Sequence, residues 1–132
     1  MTTNVREEGE LELGLLVSGV AHCRFVLRPA TLKDTYRAAA LVPVPDNLGD
    51  DSAAKVAYQM AIDDAMVLCQ VETLGTLPET PSPQALLAGI DPDDMDLLRQ
   101  AAARLKKKWR ASRKPSPPIA APNVSSLPPG SA

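Results

Sequence analysis

Carboxylates, two thiols and a single histidine are the side chains of this sequence that could do chemistry. Asp63 and Asp64 are adjacent, and paired carboxylates can serve in general acid–base catalysis. In a helix, however, Asp63 falls on a polar stripe and Asp64 points toward the apolar flank. Because buried charges are usually paired, we expect a solvated Asp63 and an Asp64 that pairs with a basic residue such as Arg28 or Arg37.

His22, Cys23 and Cys69 raise the alternative of a nucleophilic dyad. Adjacent strand residues point to opposite faces, so His22 and Cys23 cannot act on each other if they lie in a strand. Free cysteine behaves as a small apolar side chain, and we therefore expect buried, inert thiols. One His and two Cys also fall short of a four-ligand zinc site. The sequence predicts no metal and no cofactor.

An aspartate cluster precedes the last apolar repeat: Asp91, Asp93, Asp94 and Asp96. It lacks the turn glycine and the distal glutamate of an EF-hand calcium loop. Pro92 suits the first position of a helix, where carboxylates cap free N–H groups and face the positive end of the dipole. No phosphate-binding glycine loop, zinc-protease motif or C-x-x-C pair occurs. We predict a protein that is not an enzyme.

Charge is distributed unevenly along the 132 residues. Residues 1–105 contain 8 basic and 16 acidic residues, whereas residues 106–132 contain 6 basic residues, no acidic ones and 6 of the 13 prolines. Such a basic, proline-rich segment cannot bury enough apolar surface to offset the entropy of ordering. No apolar run approaches the ~20 residues that span a bilayer, so we expect no membrane segment.

Two segments, residues 10–17 and 21–28, alternate apolar and polar side chains as half-buried strands do. The intervening Ser18-Gly19 predicts a β-hairpin. A loop one residue longer than these two places Leu13 opposite Phe25, so that apolar positions face each other. We predict this longer loop and this register.

About four helices are predicted after the hairpin. Capping residues indicate where they start: Thr31, Ser52, Ser82 and Asp91. The second is long, ends at Gly75 and has a wide apolar face that includes Val56 and Met60, so we expect it to be central and mostly buried. The sequence thus predicts an α+β fold in three parts: a flexible N-terminus over residues 1–9, a single domain over 10–111, and a disordered basic, proline-rich tail over 112–132.

Short motifs of this chain resemble the tail assembly chaperones of Mu-like long-tailed phages. Phe25-Val-Leu-Arg28-Pro29-Ala-Thr31-Leu-Lys-Asp34 resembles the L-R-x-P-T-x-x-D-like junction that follows an N-terminal hairpin in that family. The family's second half is similar to two further segments: Val71-Glu-Thr-Leu74-Gly75-Thr-Leu-Pro78 and Ile90-Asp-Pro-Asp-Asp94-Met-Asp-Leu-Leu98. The resemblance covers residues 10–108 and departs from the family in the spacing within Arg28-Pro-Ala-Thr31 and in the tail beyond Ser112.

The resemblance implies a non-catalytic protein of the bacterial host cytoplasm, made from a phage or prophage and absent from the mature virion. It would bind the tape measure protein and keep it soluble until tail tube subunits assemble around it. The tail tube protein and a longer, frameshifted form of the same chain are further implied partners, with Lys106-Lys107-Lys108 as the place for a slippery codon run.

Two other functions stay open at this point. One is a structural or adaptor protein that remains in the phage tail. The other is a nucleic-acid-binding regulator that uses the basic segment Lys106–Lys114. The alternative for that segment is a solvated helix end followed by a solubilising tail, and no helix-turn-helix spacing favours nucleic acid.

Two places are predicted to bind a partner. Leu41, Val42 and Val44 flank Pro43 and Pro45 in a loop, where recognition residues commonly lie. The alternative for Leu41 and Val42 is that they cap the core over the long helix. The exposed edge of the final helix supplies the remaining candidates: Met95, Leu98 and Trp109.

Overall fold

A computed structural model describes residues 5–46, 48–49 and 52–113. This part of the chain contains three strands and four helices, in the order β1 (Glu7–Val17), β2 (Val20–Leu27), α1 (Leu32–Leu41), α2 (Ser52–Cys69), β3 (Val71–Leu74), α3 (Pro83–Gly89) and α4 (Pro92–Arg113). The strands form one antiparallel sheet with β2 in the middle. The predicted α+β fold with an N-terminal hairpin is confirmed.

The hairpin turns through two residues, Ser18 and Gly19, whose φ angles are 53° and 80°. Positive φ at both positions is typical of a type I′ turn, which matches the twist of the flanking strands. The predicted longer loop, with Leu13 opposite Phe25, is therefore wrong. Phe25 pairs with Gly9, and Leu13 is exposed.

A large bulge in β1 shifts the register between the turn and the far end of the hairpin. Between Glu10 and Leu15, β1 has four residues where β2 has one. Gly14 in the bulge has a φ of +83°, and an added Cβ would lie 2.7 Å from Cys23 Sγ. The position therefore requires glycine. On the turn side of the bulge, Leu15 pairs with His22, and both side chains are buried.

The fully buried Asp94 holds the bulge against α4. Its carboxylate accepts the backbone N–H groups of Glu12 at 2.7 Å, Leu13 at 3.2 Å and Gly14 at 2.9 Å. Three N–H donors that the bulge removes from the strand ladder are thereby satisfied, as buried donors must be. This side chain joins the first turn of α4 to β1.

The long helix predicted to end at Gly75 is shorter than expected. It ends at Cys69, and Val71–Leu74 form β3 along the free edge of β2. Val71 and Leu74 are buried there. The pairing of Phe25 with Leu74 adds apolar burial that a helix continuing into solvent could not provide, so tertiary contacts decide this segment.

Aliphatic side chains from the sheet, α3, α4 and the last turns of α2 make up the core. Its buried members are Leu11, Leu15, Phe25, Leu27, Leu68, Val71, Leu74, Leu86, Met95, Leu98, Ala101 and Leu105. Burial of each leucine in this set contributes about 1.5–3 kcal/mol to folding. The core thus lies under α4 and does not extend along the first half of α2.

Both predicted chain boundaries change. The flexible N-terminus was predicted over residues 1–9, but β1 begins at Glu7. Glu7 Oε2 accepts the Arg104 guanidinium at 2.7 Å, and Lys108 Nζ lies 2.6 Å from Glu7 Oε1. Bonds from Lys108 and Arg104 keep the pKa of Glu7 below its ordinary value. Helix α4 extends to Arg113, beyond the predicted start of the tail at 112; residues 114–132 of that tail lie outside the described residues.

Candidate partner-binding surface

The predicted binding edge of α4 is wrong at two of its three residues. Met95 and Leu98 are buried, with Leu98 only 2% exposed. They lie three residues apart, on the face of α4 that packs against the sheet. Trp109 differs, because it is half-buried near the exposed end of the helix, with the Arg113 guanidinium 4.8 Å from its ring centroid.

The three residues predicted to lie in a loop differ in position and exposure, and Leu41 is the last residue of α1 and not part of the loop. Leu41 and Val42 are half-buried, intermediate between the two alternatives considered for them. Val44 is 62% exposed. Of the three, Val44 is the residue that offers most of its side chain to a partner.

Helix α1 and residues 52–60 of α2, here called the arm, expose large apolar side chains on both helices. Leu32 and Tyr36 are exposed on α1, and Val56 and Met60 are 60% and 57% exposed on α2. Each pair is four residues apart and lies on one face of its helix. The prediction that Val56 and Met60 are buried is therefore wrong: α1 packs against α2, but no described element covers the face that carries these two residues.

One face of α2 is covered over its second half and uncovered over its first. Val56, Met60, Asp64 and Val67 follow at intervals of four, four and three residues, and so share that face. Arg99 of α4 donates two hydrogen bonds of 2.8 Å to Asp64, and Val67 packs against the core. The exposed Val56 and Met60 continue a face that already packs against another helix.

A buried ion pair fixes the arm to the sheet. Arg28, just after β2, donates hydrogen bonds of 2.7 and 2.8 Å to both oxygens of Asp34 in α1 and one of 2.9 Å to the carbonyl of Cys69 at the end of α2. Thr31 N–H donates to Asp34 Oδ2 at 2.8 Å, which confirms the predicted start of α1.

Asp34 stays ionised at this junction despite its burial. Burial raises the pKa of a carboxyl, but the hydrogen bonds from Arg28 and from Thr31 N–H outweigh it and lower the pKa of Asp34 below its ordinary value. Arg37 adds a further positive charge, 3.6 Å from Asp34 Oδ1. Ion pairs and hydrogen bonds therefore hold the start of α1 rigidly against the sheet. The exposed apolar side chains of the arm take no part in these bonds.

A groove of about 530 Å³ separates the second half of α2 from α4. Apolar groups from both helices line it, among them Met66, Val67, Ala102 and Trp109. Basic side chains from α4 line it as well: Arg99, Lys106 and Arg110. The groove thus combines apolar surface with positive charge on an otherwise acidic chain.

The residues considered for catalysis have structural roles in this fold. Asp64 is paired as expected, but with Arg99 and not with Arg28 or Arg37. The exposed Asp63 accepts a hydrogen bond from Gln59 at 2.9 Å.

Both cysteines are at least partly buried, and the aspartate cluster lies at the start of α4. Cys69 is buried and Cys23 half-buried, and burial raises the pKa of the Cys69 thiol, which weakens it as a nucleophile. The predicted cap at Asp91 is confirmed by its 2.9 Å bond from Asp93 N–H. No group of three or more His, Cys, Asp or Glu within the described ranges could hold a metal ion.

Comparisons with protein-family models, curated proteins and solved structures returned no significant match to this chain. None of the helices in the described part of the chain is both long and apolar enough to cross a membrane.

Proposed function

We propose that this protein is a tail assembly chaperone of a long-tailed phage. It binds the tape measure protein without any chemical step and keeps it soluble in the host cytoplasm until the tail tube assembles around it. The observation that carries the proposal is the arm, whose large apolar side chains are exposed although they recur at helical spacing. Apolar surface of this kind marks sites of protein association.

The arrangement suits a long helical client with an apolar stripe. Val56 and Met60 are four residues apart, and apolar residues at this spacing form the ridge with which one helix packs against another. A client stripe covered by the arm is withheld from self-association. The acidic majority of the chain supplies the net charge that keeps the complex dissolved.

The junction between sheet and arm supports the same proposal. Arg28, Thr31 and Asp34 carry the resemblance to the chaperone family, and these three residues lock the arm in place. A binding surface held on a rigid base loses less conformational entropy when a client binds.

Co-expression with the tape measure protein of the same genome tests the function. We expect the client to be soluble with this chain and insoluble without it. A client that is equally soluble in both cases contradicts the function. Finding the chain at a fixed copy number in purified virions would instead favour the alternative of a structural tail protein.

A variant pair tests the site. Val56→Asp with Met60→Asp should abolish the solubilising effect, because it puts two charges on exposed apolar positions without touching the core. Lys107→Asp, at an exposed position of α4 outside the arm, changes the net charge by the same amount and should leave the effect intact. Val44→Asp should weaken it. Retained solubility with the double variant would contradict the arm as the binding surface.

A further inference from the structure

We propose that the groove between α2 and α4 is a second binding site, which takes an acidic amphipathic helix from a partner protein. Asp63, Met66 and Val67 from the second half of α2 line it, and the arm uses the first half. The proposal therefore goes beyond the chaperone function and stands whether or not the arm binds a tape measure protein.

The apolar part of the groove provides the area for binding. Met66 and Val67 of α2 face Ala102 and Trp109 of α4 across it. Small alanines admit an incoming helix closely, while a flexible methionine and an aromatic ring adapt to its side chains. An amphipathic helix places its apolar residues into a groove between two helices in this manner.

Two cationic side chains on the groove favour a negatively charged ligand. Lys106 and Arg110 line it and form no ion pair with another described residue. Four residues apart, they project from one face of α4. Arg99 also lines the groove, but its guanidinium is bonded to Asp64 and Asp96. Carboxylates on the ligand would form ion pairs with Lys106 and Arg110.

The acidic residues elsewhere in the chain increase the preference of the groove for an acidic ligand. An acidic helix is repelled by residues 1–105, which contain 16 acidic and 8 basic residues, and is attracted to the two cations, so its encounter is steered to the groove. A basic helix would meet like charge from Lys106 and Arg110. Complementary charge thus distinguishes this site from the arm, whose exposed side chains are apolar.

Nucleic acid is a poorer match for the same surface. Affinity for a phosphate backbone grows with the number of cations that contact it, and here two unpaired cations border an apolar groove that also contains the carboxylate of Asp63. An apolar floor favours the apolar face of a helix. An oligonucleotide is therefore the competing ligand in the test.

The experiment uses the single tryptophan of the chain as its probe. Because Trp109 lines the groove, its fluorescence emission reports occupancy there. The ligands are two 18-residue model helices without tryptophan that share one leucine stripe, with Glu on the polar face of one and Lys on that of the other. A 12-nucleotide single strand is the third ligand.

We expect the acidic helix to shift the emission to shorter wavelength and to bind with a dissociation constant of about 10–100 μM. The basic helix and the oligonucleotide should bind at least about tenfold more weakly. Equal binding of the two helices, tighter binding of the oligonucleotide, or no spectral change with the acidic helix up to about 1 mM would overturn the proposal.

Charge reversal locates the site. Lys106→Glu with Arg110→Glu should weaken the acidic helix at least about tenfold and remove its preference over the basic one. Lys107→Glu with Lys55→Glu is the control, because both lysines are exposed or half-exposed and neither lines the groove. An equal loss in both double variants would contradict the site. Circular dichroism establishes that each variant is folded.

Discussion

The two long helices, α2 and α4, use their apolar side chains in opposite ways. Helix α4 buries its apolar stripe against the sheet, as the burial of Leu98 and Leu105 shows. Helix α2 buries its stripe over the last turns but leaves Val56 and Met60 in solvent. The same helical periodicity therefore marks the core of the fold in one helix and an uncovered surface in the other.

This difference shows what an apolar face demands. An apolar helix face is stabilised when another element covers it. In α4 the sheet of the same chain provides that cover, and in the first half of α2 no described element does. The Arg28–Asp34 pair and the bond from Arg28 to the Cys69 carbonyl fix the arm to the sheet, so the arm keeps its place without burying its outer faces. Substitutions at matched positions in the two regions probe this contrast.

Truncation of matched apolar residues in the two helices should have very different costs. Leu98→Ala should lower the free energy of unfolding by about 4 kcal/mol, because it leaves a cavity at a fully buried site. Met60→Ala should lower it by less than about 0.5 kcal/mol, as at exposed positions generally. Urea denaturation of both variants measures the contrast, and equal losses would show that the first half of α2 is packed.

Loss of the junction carboxylate should cost somewhat less and should depend on pH. Asp34→Asn removes the ionised partner of Arg28, and we expect a loss of about 3 kcal/mol at pH 7, the lower end for buried pairs because Arg28 keeps some access to water. The folded-state pKa of Asp34 is lowered, so its stabilisation is present above the ordinary pKa of about 4 and is lost as pH falls through the lower folded value.

Unfolding curves between pH 7 and pH 2 check that sign. The difference between wild type and Asp34→Asn should be largest near neutral pH and should shrink in acid. Asp63→Asn is the matched control on an exposed carboxylate. A difference that grows toward low pH would contradict the charged junction.

The bulge of β1 provides the next test. Asp94→Asn replaces a carboxylate that accepts three backbone N–H groups with an amide that can turn only one oxygen toward them. We expect a loss of about 2 kcal/mol, since buried donors are left unsatisfied. Asp93→Asn, in the same helical turn but exposed, should cost below about 1 kcal/mol. Thermal and urea unfolding compare the two; similar losses would mean that the bulge does not depend on Asp94.

The bond between the two long helices should matter least. Arg99→Gln removes the contact with the partly exposed Asp64, and ion pairs at such sites contribute about 0.2–1 kcal/mol. The loss should decrease further in high salt because screening weakens exposed pairs. A loss well above 1 kcal/mol that salt leaves unchanged would indicate that the packing of α2 on α4 contributes to stability far more than an exposed ion pair does.

Local signals in the sequence predicted local structure well. Thr31 with Asp34, Ser82 with Pro83, and Asp91 all start helices as expected. Each of these signals acts within one helical turn, so no distant residue has to be known.

The errors arose where a distant partner decides the outcome. The hairpin register depends on a bulge whose N–H groups are satisfied by Asp94, some eighty residues away. Gly14 within the strand pattern was the available signal, since an isolated glycine there often marks a bulge. For β3, the segment was assigned to the long helix; the β-branched Val71 and Thr73 before Gly75 were the available signal for a strand, and pairing with the edge of β2 decides it.

The candidate site was predictable only in part for the same reason. Val44 was predicted and is exposed. Val56 and Met60 were assigned to the core because periodicity shows that a face is apolar and does not show what covers it. Met95 and Leu98 were assigned to the surface for the same reason: their helical spacing shows an apolar face and does not show that the sheet covers it.

Hydrogen–deuterium exchange of the chain, alone and bound to the co-expressed tape measure protein, tests the central claim most directly. If the arm is the chaperone's binding surface, exchange should slow in peptides that cover residues 32–44 and 52–60. Peptides from residues 92–105 should change little, because their apolar side chains are already buried against the sheet. Slower exchange confined to residues 92–105, with none in the arm, would contradict the account.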